Sequence, residues 1–403
     1  MNIMKLGTLV ILSAGILACT FFLFQTTSSP HKRINENYFL VANYFNSQEA
    51  LEYTIPEIKK LLKELRNGEN LYVSFFENGS EDDTASLLKE FQKSLDIPNT
   101  IIVCNMTGSN AWEGKQILGE ELSKKVFKMK AEYRYRKMAG IRNVALLPLY
   151  DHTFEHNEWP TKIVFLNDIY FTADEILELI YTKEGNFDVV CPLDFYYEFY
   201  DTLVARDVEG YWFSGNYPFT RHNESQVLIK NNEPFEVYSC WNGIAILNAE
   251  PILKQGVKFR PRKYDSENCE CPQSECLLIC TDYRKKGYDK IYINPKVRVS
   301  YEWKYYMLHK YPVFRALVNL YQWMWYEFNE VSYGKNASEV GCGMPPYFDL
   351  KKEPKYMSLV SSECKLPYRE SHAFNATPEK IMQEQKYTER FYNRLLSTCI
   401  DDK

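Results

Sequence analysis

Short apolar runs and amphipathic stretches take turns along this chain. The runs at Leu71–Glu77 (LYVSFFE), 101–105, 162–171 (KIVFLNDIYF), 188–193, 237–247 (enclosing SCWNGIAIL) and 290–301 have the length and the β-branched or aromatic content of strands. Between them Ile58, Leu61, Leu62 and Leu65 share one helical face behind a capping box of Thr54 and Glu57, and Leu87, Leu88, Phe91 and Leu95 share another. The stretch 111–137 reads as a long helix with a basic end, and TADEILELIYT and 274–285 read as further helices. Strand, helix, strand at these spacings predicts βαβ units, and so a parallel sheet with right-handed crossovers inside a mixed α/β architecture.

The longest apolar run comes first. Residues 6–24 carry no charge, follow Lys5 and precede QTTSSPHKR, which is the length that crosses a bilayer as a helix. The expected organisation is a cytoplasmic tail at 1–5, a transmembrane signal anchor at 6–24, a stem at 25–43, a catalytic domain at 44–302 and a helical or irregular covering region at 303–403. A cleaved signal peptide competes, because small residues stand at Ala14, Gly15 and Ala18, but its apolar core would be unusually long.

Charge removes one class of function. A net charge of −5 with no strong basic block gives no footprint for nucleic acid. All of the 11 cysteines but Cys19 fall in the expected lumenal body, which fits an oxidising compartment. Cys269, Cys271, Cys276 and Cys280 lack the paired spacing of a zinc ribbon and are expected in disulfides, whereas Cys104, Cys191 and Cys240 sit in apolar strands and fit buried thiols. Asn-x-Ser/Thr sequons stand at Asn78, Asn105, Asn223, Asn336 and Asn375, and Asn78 is expected to stay without a glycan because it falls in the ligand cleft.

Candidate chemistry gathers around the strand at 162–171, whose apolar part ends on Asn167 and Asp168. Open α/β sheets bind ligands beyond the carboxyl ends of strands, so a polar pair there is where chemistry is expected; an ordinary turn is the plain alternative. Asp168 suits a divalent cation, although a second acid beside it is lacking. The turn ENGSEDDT offers Glu77, Ser80 and Asp82 to a nucleotide's base or ribose, while Ser80 or Asp83 also fits a helix cap. Arg142 suits a phosphate. Asp194, Asp201, Arg206 and Asp207 are interleaved with aromatic rings, a mixture that suits sugars or a core. Glu275 opens a helix in a cysteine-rich segment, where a carboxylate serves chemistry or capping. No histidine pair has ligand spacing, and neither a Gly-x-Ser-x-Gly nor a phosphate-loop motif occurs, which argues against hydrolase and kinase classes.

In order, FFENGSEDDT, IRNVALLPL, FLNDIYF, CPLDFYYEFYDTLVARD, SCWNGIAIL, SEC before a helix, and INPKVRVSYE resemble the motifs of the fungal capsule-associated α-1,3-mannosyltransferase family, over roughly residues 44–301. The resemblance implies a GT-A-like nucleotide-diphospho-sugar transferase fold, α/β with a mixed central sheet, on a single-pass type II membrane protein of the Golgi or another secretory-pathway membrane. It implies transfer of mannose from GDP-mannose, with retention, to an oligosaccharide or polysaccharide acceptor, with Mn2+ or another divalent cation. By the same resemblance Asp168 is the metal ligand, Glu77, Ser80, Asp82, Arg142, Asn167, Asp194, Arg206 and Asn242 bind the donor, and Glu275, Asp207 and Asp201 are catalytic. Asp194 or Asp207 is expected beside Asp168 as a second ligand. Leu203 stands where the pattern has Trp and Asp83 where it has Gly, departures that bear on the acceptor. A donor such as UDP-xylose, or a non-catalytic glycan-binding or polysaccharide-export factor on the same fold, are the alternatives.

Overall fold

The computed structural model describes residues 36–66, 71–104, 130–150, 160–261 and 273–328. In chain order these form β1 (Tyr38–Tyr44), α1 (Gln48–Leu65), β2 (Leu71–Glu77), α2 (Thr84–Lys93), β3 (Asn99–Val103), α3 (Lys130–Ala145), α4 (Leu147–Tyr150), β4 (Lys162–Leu166) and α5 (Ala173–Ile180). They continue with β5 (Val189–Phe195), α6 (Asn223–Asn231), β6 (Phe235–Glu236), β7 (Ile244–Asn248), α7 (Glu250–Gln255), α8 (Glu275–Lys285), β8 (Ile291–Ser300), α9 (Trp303–Lys310) and α10 (Pro312–Phe328).

The strands form one sheet in the order β3-β2-β1-β4-β7-β5-β8-β6. β1, β2, β3 and β4 are parallel; β7 enters antiparallel between β4 and β5, β8 is parallel to β5, and β6 caps the edge antiparallel to β8. Side chains alternate across it, as the pleat requires. Phe39, Val41, Ile163, Phe165, Ala245 and Leu247 pack on one face with Ile141 and Val144 of α3 and Leu277 and Cys280 of α8. Leu40, Ala42, Val164, Leu166, Ile244 and Ile246 pack on the other with Ile58 and Leu61 of α1 and with Ile176 and Leu179 of α5. Burial on both faces explains the near-continuous apolar runs of the inner strands.

Several expectations are corrected. The fold was expected to carry an N-terminal transmembrane helix; among the described residues no helix is long and apolar enough to cross a membrane, and residues 6–24 lie outside the described residues. The sheet begins at Tyr38 rather than near Tyr44, because YFLVANY, placed in the stem by its position, is an inner strand between β2 and β4. Thr54 caps nothing: α1 starts at Gln48, and the Thr54 hydroxyl donates to the Ala50 carbonyl within that helix at 2.8 Å. Glu57 instead accepts the Ala173 N–H at 2.8 Å, at the start of α5.

The long helix expected at 111–137 is described only from Lys130, and it continues to Ala145. Cys191 and Cys240 are joined in a disulfide rather than left as thiols, and Cys104 is also disulfide-bonded. Cys276 and Cys280 are free and buried, while Cys269 and Cys271 lie outside the described residues. Of the covering region, α9 and α10 pack against the sheet body: His309 stacks on Phe195 with ring centroids 3.8 Å apart.

Candidate functional site

β1, β2, β4, β5 and β8 run in one direction, so their carboxyl ends share one edge of the sheet. The chain passes from β1 outward to β2 and β3 and then returns to β4 on the other side of β1. The crevice at such a reversal is where open α/β sheets bind ligands. A cavity of about 1070 Å³ opens there, at the upper end of the range for small-molecule sites. Residues that follow strands make its wall: Asn43 and Tyr44 from β1, Asn78 after β2, Asn167 and Asp168 after β4, the loop 196–204 after β5, and Tyr301 after β8. Arg142 of α3 and Glu275 of α8 close it.

Asn167 is the hub. Its backbone N–H donates to the Gly243 carbonyl at 2.9 Å, its Oδ1 accepts from Arg142 Nη1 at 3.2 Å and Trp241 Nε1 at 3.3 Å, and its Nδ2 donates to the Tyr301 hydroxyl at 2.9 Å. With the amide oxygen used twice, Asn167 positions Arg142, and its Nδ2 keeps a second N–H beyond the one given to Tyr301. Gly243 permits this junction: its φ is +77°, and a Cβ there would stand 3.0 Å from Ile169 Cδ1.

Arg142 is buried over the Trp241 ring, 4.3 Å from its centroid, and its Nε donates to Glu275 Oε1 at 3.1 Å. Ser274, the N-cap of α8, accepts the Cys276 N–H and donates to Glu275 Oε2 at 3.2 Å. The site thus receives a guanidinium whose counter-charge is built in, and among the described residues Arg142 is the only Lys or Arg lining the cavity. Glu275, expected as a catalytic acid, is spent on that pair.

Asp168 lines the cavity beside tyrosines. Burial raises the Tyr44 hydroxyl above its ordinary pKa and the Asp168 charge adds to it; Tyr301 is pushed up by burial, then by Asp194, Asp168 and Asp201. These hydroxyls therefore stay neutral. Among the described residues no group of three or more His, Cys, Asp and Glu side chains could hold a metal ion. Asp168 on its own is a single carboxylate, which would leave most of a hard cation's oxygen ligands to a bound molecule.

The floor of the cavity is polar and unsatisfied. Asn43 Nδ2 donates to the Ile141 carbonyl at 3.1 Å, which leaves Oδ1 without a partner; the Tyr44 hydroxyl and both amide atoms of Asn78 are also buried and unpaired. Each such atom costs about 1–3 kcal/mol unless something bonds it. Four together at one crevice mark where a polar ligand is received. Sequence reasoning placed Asn78 in the cleft but missed Asn43, Tyr44, Trp241 and Tyr301. Position at the carboxyl end of a strand or just past it was the signal available for Asn43, Tyr44 and Tyr301, and β1 had gone unseen.

Most of the other predicted residues do not line the cavity. Glu77 Oε1 accepts the Ser80 N–H, Ser80 Oγ accepts the Asn46 N–H at 2.9 Å, and Asp82 Oδ2 accepts the Gln48 N–H at 3.0 Å, so the turn after β2 is tied to the loop after β1. Their donor-binding reading gives way to that internal use. Asp207 accepts from the Glu209 and Tyr211 N–H groups and from Thr220 Oγ1, and it does not line the cavity that Asp168 lines. Arg206 is buried against Trp212, and burial depresses its pKa to about 9. Asn242 holds a left-handed turn, with φ +52°, and donates to the Pro192 carbonyl at 2.6 Å and, from its backbone, to Asp201 Oδ2 at 3.0 Å. Asp194 is fully buried, with Oδ1 accepting the Asp201 N–H at 3.2 Å; burial and then Asp201 raise its pKa well above the usual carboxylate value. Asp201 does line the cavity.

A mixed α/β sheet with a cavity at its strand-order reversal, lined by one buried arginine and a strand-end acid, has the placement of a small-molecule site. The chain belongs to the cryptococcal mannosyltransferase 1 family, whose model matches residues 37–282. It is 30% identical over 284 residues to an alpha-1,3-mannosyltransferase of Cryptococcus neoformans var. neoformans serotype D, a match that takes in 66% of this chain and 58% of that protein. The chain therefore spans a little over half of that relative's length. Among solved structures it is similar to the mannosyltransferase of Pyrobaculum calidifontis in complex with GDP-Man and Mn2+, at 12% identity and a TM-score of 0.39 over 98% of both chains. It is also similar to S. aureus TarS, at 11% identity and a TM-score of 0.36 over 90% of both chains. Overlaps this loose transfer neither fold nor site residues, which rest on the chain's own strands.

Proposed function

We propose that the chain is a glycosyltransferase that moves mannose from GDP-mannose to an oligosaccharide or polysaccharide acceptor, with retention at the anomeric carbon. The observation that carries this reading is the cavity at the reversal between β1 and β4, where Arg142 and Asp168 flank a floor of unpaired polar atoms in a chain of the mannosyltransferase family.

Arg142, oriented by Glu275 and Asn167, offers preorganised positive charge to a leaving diphosphate. Asp168 is the residue that would hold a divalent cation, Mn2+ in this reading, and when bound such an ion neutralises charge developing on the leaving phosphate. Asn43, Tyr44 and Asn78 give a nucleoside its hydrogen bonds. Asp201, fixed through Oδ2 by the Asn242 N–H, is the carboxylate we assign to the reacting sugar. The Cys191–Cys240 disulfide supports work in an oxidising secretory compartment.

The test incubates the protein with GDP-mannose or UDP-xylose, with Mn2+ or with a chelator, and follows released nucleotide and mannose transferred to mannobiose. Turnover of GDP-mannose that needs the metal, and a loss of about 10²-fold or more in Asp168→Asn, is the expected outcome. Absence of metal-dependent turnover with either donor overturns the reading in favour of a glycan-binding protein, and full activity in Asp168→Asn removes Asp168 from the site.

A further inference from the structure

The loop 196–204 puts large side chains where folding alone would hide them. Phe195 and Phe199 are buried in the core, whereas Tyr197, Tyr200 and Leu203, three residues apart, are 42%, 43% and 42% exposed. All three line the same cavity. Their exposure is held in place: Phe199 N–H donates to the Gly215 carbonyl at 2.8 Å, Tyr200 N–H to the Asp194 carbonyl at 3.0 Å, and the Tyr197 carbonyl accepts from Gln322 Nε2 at 3.3 Å and His309 Nε2 at 3.2 Å. The rings also connect inward. Tyr200 stands 4.8 Å from Tyr196 and 5.2 Å from Tyr301, ring centroid to centroid, and Tyr301 is hydrogen-bonded to Asn167 at the strand end next to Asp168.

We propose that Tyr196, Tyr197, Tyr200, Leu203 and Tyr301 form the platform on which the acceptor lies, a neutral oligosaccharide stacked by its pyranose faces on the tyrosine rings. The proposal rests on the transferase reading above for the word acceptor; the binding surface itself does not. Ring faces receive the apolar C–H face of a sugar while phenol hydroxyls meet its hydroxyls. Charge disfavours a phosphorylated occupant on this loop. The loop carries Glu198 and Asp201 and no cation, and the only guanidinium lining the cavity among the described residues, Arg142, stands on α3. The two carboxylates of the loop disfavour a phosphorylated ligand on the tyrosine side, whereas an uncharged glycan meets no such cost there. The chain of rings ending at Tyr301 leads one end of that glycan toward Asp168.

Mannotriose titrated into the full protein by calorimetry, with no donor present, reads the platform directly. Tyr197→Ala and Tyr200→Ala remove half-exposed rings and are each expected to weaken mannotriose binding roughly tenfold. Tyr200→Phe, which keeps the ring, is expected within threefold of wild type, and Leu203→Trp, which adds one, tighter than wild type. GDP affinity is expected to stay within twofold in Tyr197→Ala, because the ring is not on the cationic side. Unchanged mannotriose affinity in the Tyr197→Ala/Tyr200→Ala double variant, or no saturable mannotriose binding by the wild type, overturns the platform. Mannotriose binding in a protein that turns over no nucleotide sugar overturns the transferase reading and leaves the platform standing.

Discussion

Arg142 and Glu275, 133 residues apart in sequence, meet at 3.1 Å with both side chains only 4% exposed. Breaking a buried pair of this kind strands a charge in the interior. Glu275→Ala is therefore expected to cost about 3–5 kcal/mol, measured by urea unfolding. Replacing both partners, Arg142→Met with Glu275→Leu, is expected to recover most of that stability and to abolish turnover, since the cavity loses its guanidinium. A Glu275→Ala protein as stable as wild type refutes the structural role.

Asn78 carries two unpaired amide atoms at 2% exposure. Asn78→Ala removes them, so the ligand-free protein is expected to be no less stable, while GDP affinity falls about tenfold or more, equivalent to about 1.4 kcal/mol. Calorimetry with GDP checks this, and equal affinity counts against Asn78 as a nucleoside contact. Its Asn-Gly-Ser sequon is expected to carry no glycan in protein recovered from a secretory host, as read by mass spectrometry of the peptide.

Asp207 accepts two backbone N–H groups and the Thr220 hydroxyl in the turn that follows Arg206. Asp207→Ala is expected to lower stability by about 1–3 kcal/mol while the KM for donor holds at temperatures where the variant is folded. A fall in kcat of several orders of magnitude without loss of stability returns Asp207 to the chemistry.

His309 is fully buried on Phe195, and burial, with help from the Arg298 charge, depresses its pKa to about 3 from 6.5. The folded state therefore holds the neutral ring and the unfolded state binds the proton. Stability from this group is complete above pH 6.5 and falls as pH drops from there toward 3, by about 1.4 kcal/mol per pH unit. Unfolding measured across that window is expected to show the slope in wild type and to lose it in His309→Phe. His309 stays neutral in the folded protein across that window and keeps its bond to the Tyr197 carbonyl, so mannotriose affinity of the folded protein is expected to hold there.

β4 and the pair that ends it were legible in the sequence, because an inner strand buried on both faces writes a continuous apolar run and its end is marked by the first polar residues. What Asn167 does was not, since Arg142 and Tyr301 reach it from 25 and 134 residues away. The turn after β2 failed for a related reason. Acids and hydroxyls there suit a ligand or the chain itself, and only the fold brings Asn46 and Gln48 within reach of Ser80 and Asp82. In the aromatic run after β5, buried and exposed rings alternate on an irregular loop with neither helical nor strand period, so which tyrosines face outward is set by Gly215, His309 and Gln322, all distant in sequence.

Tyr301 follows β8, the last of the described strands, yet β8 pairs in the interior beside β5 and not at the rim. During synthesis, then, every other wall of the cavity emerges before the residue that connects them, and β5 lacks one of its two neighbours until β8 is available. A partly made chain holds no finished pocket. Until β8 is built the chain lacks both Tyr301 and one neighbour of β5, and the cavity stays incomplete.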